Sequence, residues 1–238
     1  MSITLLKALT AAGLGARRAV AQAVKDGRVL LNNQPATSFS QTVTPNDKIV
    51  VDGKPFSLPV EKPVYLLLNK PAGVLSVTHD VRMRPTVIDL IPAQYRVSGL
   101  HPVGRLDLAS RGLILLTSDG ELTYRLTHPR FEKEKEYLVE LSRTLAPVDK
   151  AKFEHGLELE DGLTSPAKLT DVSSRPPIYR IIIHEGRKRQ IRRMFQGLSY
   201  AVRDLKRTRM GNLRLGTLKE GDVRELTDNE VQSLTQEK

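Results

Sequence analysis

The spacing of apolar positions changes several times along the chain, and each change marks an element. Leu5, Leu6, Leu9 and Ala12 recur at helical spacing until Gly13-Leu14-Gly15 breaks the pattern. Ala19, Val20, Ala23 and Val24 form a second helical stripe, which predicts a helix from about Ala16 to Lys25, ended by Gly27. Val29-Leu30-Leu31 and Lys48-Ile49-Val50-Val51 read as short strands around a polar stretch. These pieces predict a small αα-β domain over residues 1–51. Residues 52–63 contain Asp52-Gly53, Pro55, Pro59 and Pro63 and read as a linker.

A second domain is expected over residues 64–238. Strands are predicted at Val64–Leu68, Leu113–Thr117, Lys135–Leu141, Tyr179–His184, Val202–Met210 and Asp222–Leu226. Helices are predicted at Gly120–Thr127, Arg187–Gln196 and Thr227–Leu234. Thr227 with Glu230 three positions on has the form of a capping box. Strands outnumber helices and do not alternate with crossover helices. The fold class is therefore α+β, with a mixed, largely antiparallel sheet flanked by helices rather than a doubly wound one.

Composition narrows the partners. The chain has 238 residues, a net charge of +10 and no cysteine. The charge favours a polyanionic partner such as nucleic acid. The missing cysteines exclude disulfides, thiol nucleophiles and cysteine-ligated zinc. No apolar run nears the roughly 20 residues that span a bilayer, and Met1–Thr10 lacks the marks of a signal peptide. The expectation is a soluble cytoplasmic protein that does not engage membranes.

The charge is also unevenly placed. Residues 187–214 carry ten Lys/Arg against one acid, Asp204. A solvated face would interleave both signs, so this segment reads as a nucleic-acid contact, led by Arg187, Lys188, Arg189 and Arg193. Arg17-Arg18 opens the second helix, where two cations oppose the helix dipole. Phosphate contact would explain the pair; a solvated surface pair is the plain alternative. Glu132-Lys133-Glu134-Lys135-Glu136 alternates in sign and reads as a solvated approach to a strand.

Chemistry has one sharp candidate. Asp107 follows Gly104-Arg105-Leu106 and precedes the apolar strand at 113–117. Two readings stand at this level: a turn or cap residue, or a carboxylate nucleophile acting on a polyanion. No glycine-rich phosphate loop is present, and the five histidines lack metal-ligand spacing. No metal or cofactor is expected, which leaves a carboxylate as the best candidate for catalysis.

Five ordered segments resemble a known family. Gly104-Arg-Leu-Asp107, Gly112-Leu-Ile-Leu-Leu-Thr-Ser-Asp-Gly120, Glu185-Gly-Arg-Lys-Arg-Gln-Ile-Arg-Arg-Met194, Asn69-Lys-Pro-Ala-Gly73 and Lys135-Glu-Tyr137 are similar to motifs of bacterial ribosomal RNA pseudouridine synthases of the RsuA and RluB-like group. Ala11–Arg18 and Gly27–Asn32 resemble the RNA-binding domain of ribosomal protein S-four. Ala16 departs from the serine usual at its position and gives up a helix cap; Ala109 and Ser110 replace an acid and a threonine.

The resemblance implies isomerisation of a ribosomal uridine to pseudouridine after the base leaves its stack. The run Gly211–Thr227 is closer to the large-subunit members. By resemblance, Asp107 is the essential carboxylate, Tyr137 stacks on the uracil, and Arg192 forms an ion pair that keeps Asp107 ionised. Arg187 is the second candidate for that pair. Arg105 would fill the space left by the flipped base, and Lys70 would line the cleft. The expected partner is ribosomal RNA or an assembly intermediate, bound by a monomer. Two rivals remain: a non-catalytic ribosome assembly factor, and a glycosidase for which no second carboxylate is evident. Convergence of Asp107, Tyr137 and Arg192 in one cleft would separate the enzyme from the first rival.

Overall fold

The computed structural model describes residues 3–11, 13–44, 46–56 and 62–236. Ala12 of the first apolar stripe and Pro59 of the expected linker lie outside the described residues. The chain divides into two compact units, residues 1–64 with 96–100, and residues 65–95 with 101–238.

In the first unit, α1 (Leu5–Ala11) and α2 (Arg17–Lys25) bury Leu5, Leu9, Val20, Ala23 and Val24 against Val29, Ile49 and Val51. Ala19, expected in the buried stripe, is exposed. Ala16 caps α2 without a side-chain hydrogen bond, as an alanine must. Val29–Leu31 pairs antiparallel with both Gln34–Pro35 and Ile49–Val51. Lys54–Phe56 falls within the stretch read as linker, yet it adds a fourth strand against Ile49–Val51. Pro55 is tolerated there because an edge strand does not need every N–H.

The second unit is built on one mixed sheet. Its strands run in the order Lys168–Ser174, Pro177–Ile183, Lys135–Leu141, Val202–Met210, Arg111–Thr117, Tyr65–Lys70, Val223–Glu225. All neighbours in this order are antiparallel except Val202–Met210 and Arg111–Thr117, which pair in parallel through Lys206 with Arg111 and Arg207 with Gly112. Strand 111–117 is buried at every position from Gly112 on, which explains its unbroken apolar run.

Helices cover the sheet. Leu122 and Leu126 of α3 (Gly120–Thr127) and Leu234 of α6 (Asp228–Gln236) share a core with Leu67, Leu113 and Leu115. Asp119 caps α3 by accepting from the amides of Glu121 and Leu122. The capping box forms as expected: the Thr227 amide donates to Glu230 at 2.9 Å and the Glu230 amide to Thr227 Oγ1 at 3.3 Å. Phe153 of α4 (Pro147–His155) stacks on Phe195 of α5 (Gln190–Gly197), with ring centroids 4.6 Å apart.

Helix α5 begins three residues later than its charge pattern suggested. Arg187 and Lys188 belong to the turn before it, and Arg189 is the N-cap with φ 53°. The cause is local. The side chain of Gln190 accepts from the Arg187 amide at 3.1 Å, which ties off the turn before the helix starts.

Candidate active site

Asp107 sits in the loop between His101–Pro102 and Arg111–Thr117, two strands that pair antiparallel. The loop is pinned on both sides of the acid. Ser76 Oγ donates to the Leu106 carbonyl at 3.0 Å and accepts from the Leu106 amide at 3.1 Å. The Gly73 amide donates to the Leu108 carbonyl at 2.8 Å, and the Ser110 amide to the Asp107 carbonyl at 3.0 Å. The backbone at Asp107 is thus fixed while its half-buried side chain takes part in no protein hydrogen bond among the described residues.

A cleft of about 770 Å³ opens over this loop. Its walls include Arg105 and Asp107, Tyr137 and Lys135 from strand 135–141, Arg207 from strand 202–210, and Arg187, Lys188 and Arg189 from the turn before α5. Tyr137 is buried and lies opposite Arg207 in the antiparallel register. Arg105, Lys188 and Arg189 are exposed at the cleft. Asp107, Tyr137 and Arg105 therefore meet in one place, whereas Arg192, the third member of the expected constellation, is not among the residues that line this cleft.

Lys70 does not line this cleft. It is fully buried, and its ammonium donates to the carbonyls of Pro71 and Val74, each at 2.8 Å. Burial lowers its pKa to about 8, against the opposing pull of Asp107 and Glu220. Lys70 therefore folds the turn whose Gly73 holds the Asp107 loop. It acts from behind the site.

Arg192 is not in an ion pair with Asp107. Its guanidinium donates to the carbonyls of Val202 at 3.2 Å and Ala109 at 3.1 Å. Burial lowers its pKa and the charge of Arg189 adds to this; Asp107 and Asp204 pull the other way. The Ala109 contact ties Arg192 to the loop two residues past Asp107, so its charge bears on the acid through space.

Two expected phosphate ligands are also already engaged. Arg187 pairs with Glu185 at 3.2 Å and donates to the carbonyls of Asp161, Gly162 and Leu163. Arg193 makes a two-point pair with Asp161 at 2.9 and 2.8 Å. Arg209 is held by Glu134 at 2.8 Å. Acids remote in sequence thus neutralise part of the ten-to-one segment, which a count along the chain does not reveal. Glu185 also lines the cleft. It is committed to Ser165, Arg187 and Gln190, and so is not a free second carboxylate beside Asp107.

Lys135 and Lys133 carry no visible role in the sequence, and Arg207 counts there only as one of the ten cations of residues 187–214. The alternating run 132–136 is no solvated approach: Lys133 is buried, and Lys135 faces the cleft. The available signal was strand periodicity, since Lys135 and Tyr137 share a face two residues apart. Burial lowers the Lys135 pKa to about 8; the charge of Arg207 reinforces this and Glu185 opposes it. Between that value and 10.5 the unfolded chain holds a proton that the folded chain has lost, so this group stabilises folding as pH rises. Lys135→Met should therefore melt above the wild type near pH 7, by a margin that shrinks toward about pH 10. Melting curves at the two pH values check this, and a margin that does not change would contradict it.

Among the described residues, no group of three or more His, Asp and Glu side chains could hold a metal ion, and no helix is long and apolar enough to cross a membrane.

Comparison with known proteins agrees with this geometry. The sequence model of the RNA pseudouridylate synthase family matches residues 64–197, and that of the S4 domain matches residues 4–49. The chain is 39% identical to the ribosomal large subunit pseudouridine synthase B of Bacillus subtilis, over 97% of this chain and 94% of that protein. It is 36% identical to an RNA pseudouridine synthase of Aquifex aeolicus, over 92% of this chain and 90% of that protein. A crystal structure of a pseudouridylate synthase superposes with a TM-score of 0.69 at 31% identity, covering 98% of this chain and 99% of its own. The chain belongs to the RNA pseudouridylate synthase family and carries an S4 domain at its N-terminus.

Proposed function

We propose that the protein converts a uridine of large-subunit ribosomal RNA to pseudouridine, with Asp107 as the essential carboxylate. The observation that carries this reading is the cleft itself: a fixed acid and a buried tyrosine face one cavity rimmed by exposed cations. A binding-only assembly factor has no need of that pairing. The similarity to a large-subunit synthase over nearly the whole chain supports the choice of RNA.

The target uridine leaves its stack and enters the cleft, at a cost of a few kcal/mol that backbone and stacking contacts offset. Arg105 fills the vacated space in the RNA. Tyr137 stacks on the uracil, while Asp107 promotes cleavage of the bond between base and sugar. Arg192 holds the loop through the Ala109 carbonyl and places its positive charge near the acid. Lys188 and Arg189 contact phosphates at the rim, whereas Arg187 and Arg193 shape the loop at Asp161 that supports them. The enzyme works in the cytoplasm as a monomer, on ribosomal RNA or on an assembly intermediate.

Incubating the protein with large-subunit ribosomal RNA and mapping pseudouridines tests the reading. One new site in that RNA is expected; no new site there, with modification of small-subunit RNA incubated in parallel, would overturn the choice of subunit.

In the N-terminal unit, Arg17 and Arg18 are exposed at the start of α2 and are assigned to RNA phosphates. Replacing both by alanine should weaken RNA binding and lower the slope of log affinity against log salt by about 2, roughly one for each phosphate no longer neutralised. An unchanged slope in filter-binding titrations would remove them from the interface.

A further inference from the structure

We propose that Arg207 is a further catalytic residue: with Ser110 beside Asp107, it holds a carbonyl oxygen of the target uracil and the negative charge that the ring takes up as it leaves the sugar. The proposal rests on the reading of the protein as a uridine isomerase. Arg207 is 2% exposed and Ser110 1% exposed, and both line the cleft with Asp107 and Tyr137. Arg207 Nε donates to the Leu113 carbonyl at 2.8 Å, which fixes the plane of the guanidinium. Its Nη2 is buried without a partner among the described residues, and so is Ser110 Oγ.

A buried donor without an acceptor is rare in native proteins, and a charged one is costlier still. Two such atoms in one cleft mark a site that is completed by something else. Arginine stays protonated and only donates, so its missing partner is an oxygen with lone pairs. Asp107 is not that partner, since the two form no ion pair among the described residues. A phosphate fits less well, because exposed Lys188 and Arg189 already serve the rim while Arg207 lies within the sheet. Tyr137 is its cross-strand neighbour, so a ring stacked on the tyrosine would bring its edge toward Arg207. Gly112, opposite Arg207 on the parallel strand, lets the two backbones approach closely and so fixes where Arg207 sits in the sheet.

The chemistry needs such a group. When the C1′–N1 bond breaks, both electrons pass to the ring, and the charge spreads over its two carbonyl oxygens. The ring then turns, C5 bonds to C1′, the C5 proton leaves and N1 ends protonated. Product and substrate are isomers, so no further reagent enters. A fixed guanidinium at a carbonyl oxygen stabilises the anionic interval without reorganising. Lys135, two residues from Tyr137 on the same strand face, adds a second positive group to that wall.

The test uses RNA carrying 2-thiouridine or 4-thiouridine at the mapped target, since sulfur is a poor hydrogen-bond acceptor. In single turnover, the wild type should slow on the order of tenfold with one of the two. Arg207→Gln should lose on the order of 10²-fold with uridine, keep its RNA affinity within about threefold, and be indifferent to that same sulfur. Arg207→Lys should recover part of the rate. A wild type indifferent to both sulfurs would overturn the proposal, and so would an Arg207→Gln variant that loses the sulfur factor a second time. If Arg207→Gln fails to fold, the wild-type comparison and Arg207→Lys carry the test. A wild type that makes no pseudouridine in any ribosomal RNA would sink the uridine-isomerase reading instead.

Discussion

Asp107→Asn should yield a folded protein that binds ribosomal RNA and forms no pseudouridine. Folding survives because the loop is held by its backbone, through Ser76 on one side and Gly73 on the other, and not by the carboxylate. Asparagine has nearly the same shape and leaves no buried protein donor without its acceptor. RNA affinity should be unchanged or slightly higher, since one negative charge near the phosphates is gone. Turnover should fall by on the order of 10⁴-fold or more, the scale seen when a reacting group is removed and binding groups remain. Melting curves, RNA titrations and pseudouridine yield together separate this outcome from unfolding.

Gly112→Ala should be the most damaging single methyl in the catalytic unit. Gly112 has φ +103°, which L residues seldom adopt, and an added Cβ would sit 2.2 Å from the Arg207 carbonyl oxygen and 2.7 Å from its nitrogen. The obstacle is the backbone of the parallel partner strand, which cannot swing aside as a side chain can. Backbone strain and a forced separation of the two strands together should cost about 3 kcal/mol or more. For a unit of this size that lowers the melting temperature by roughly 6–12 °C. Activity should fall further than stability alone predicts, because the same strand carries Arg207 into the cleft. Gly120→Ala is the control: nothing lies within 4 Å of its Cβ and it opens α3, so melting should hardly move. A Gly112→Ala variant that melts with the wild type would refute the close approach.

What the sequence disclosed follows from how local each signal is. Helix 120–127 has Asp119 to cap it and Pro129 just beyond it, and strand 135–141 alternates cleanly, so both were legible to the residue. Helix 147–155 buries only Phe153, and strand 168–174 buries only Leu169. Neither shows an apolar period, and both went unread. Asp107 and Tyr137 stood out because their surroundings carry ordered motifs. Arg207 did not, because a basic residue in a basic run looks like surface until the fold places it between Tyr137 and Gly112. The engagement of Arg187 and Arg193 by Asp161 depends on a contact 26 to 32 residues away, which no local pattern encodes.

The role proposed for Asp107 is to drive the exchange of a nitrogen link for a carbon link at uracil. Forming the new bond at C5 expels the hydrogen held there. Tritium release from large-subunit ribosomal RNA labelled at C5 of uridine, followed with wild type and Asp107→Asn at equal bound RNA, tests this directly. The wild type should release up to one equivalent of tritium per target site, and the variant none above background. Near-normal release by Asp107→Asn would contradict it.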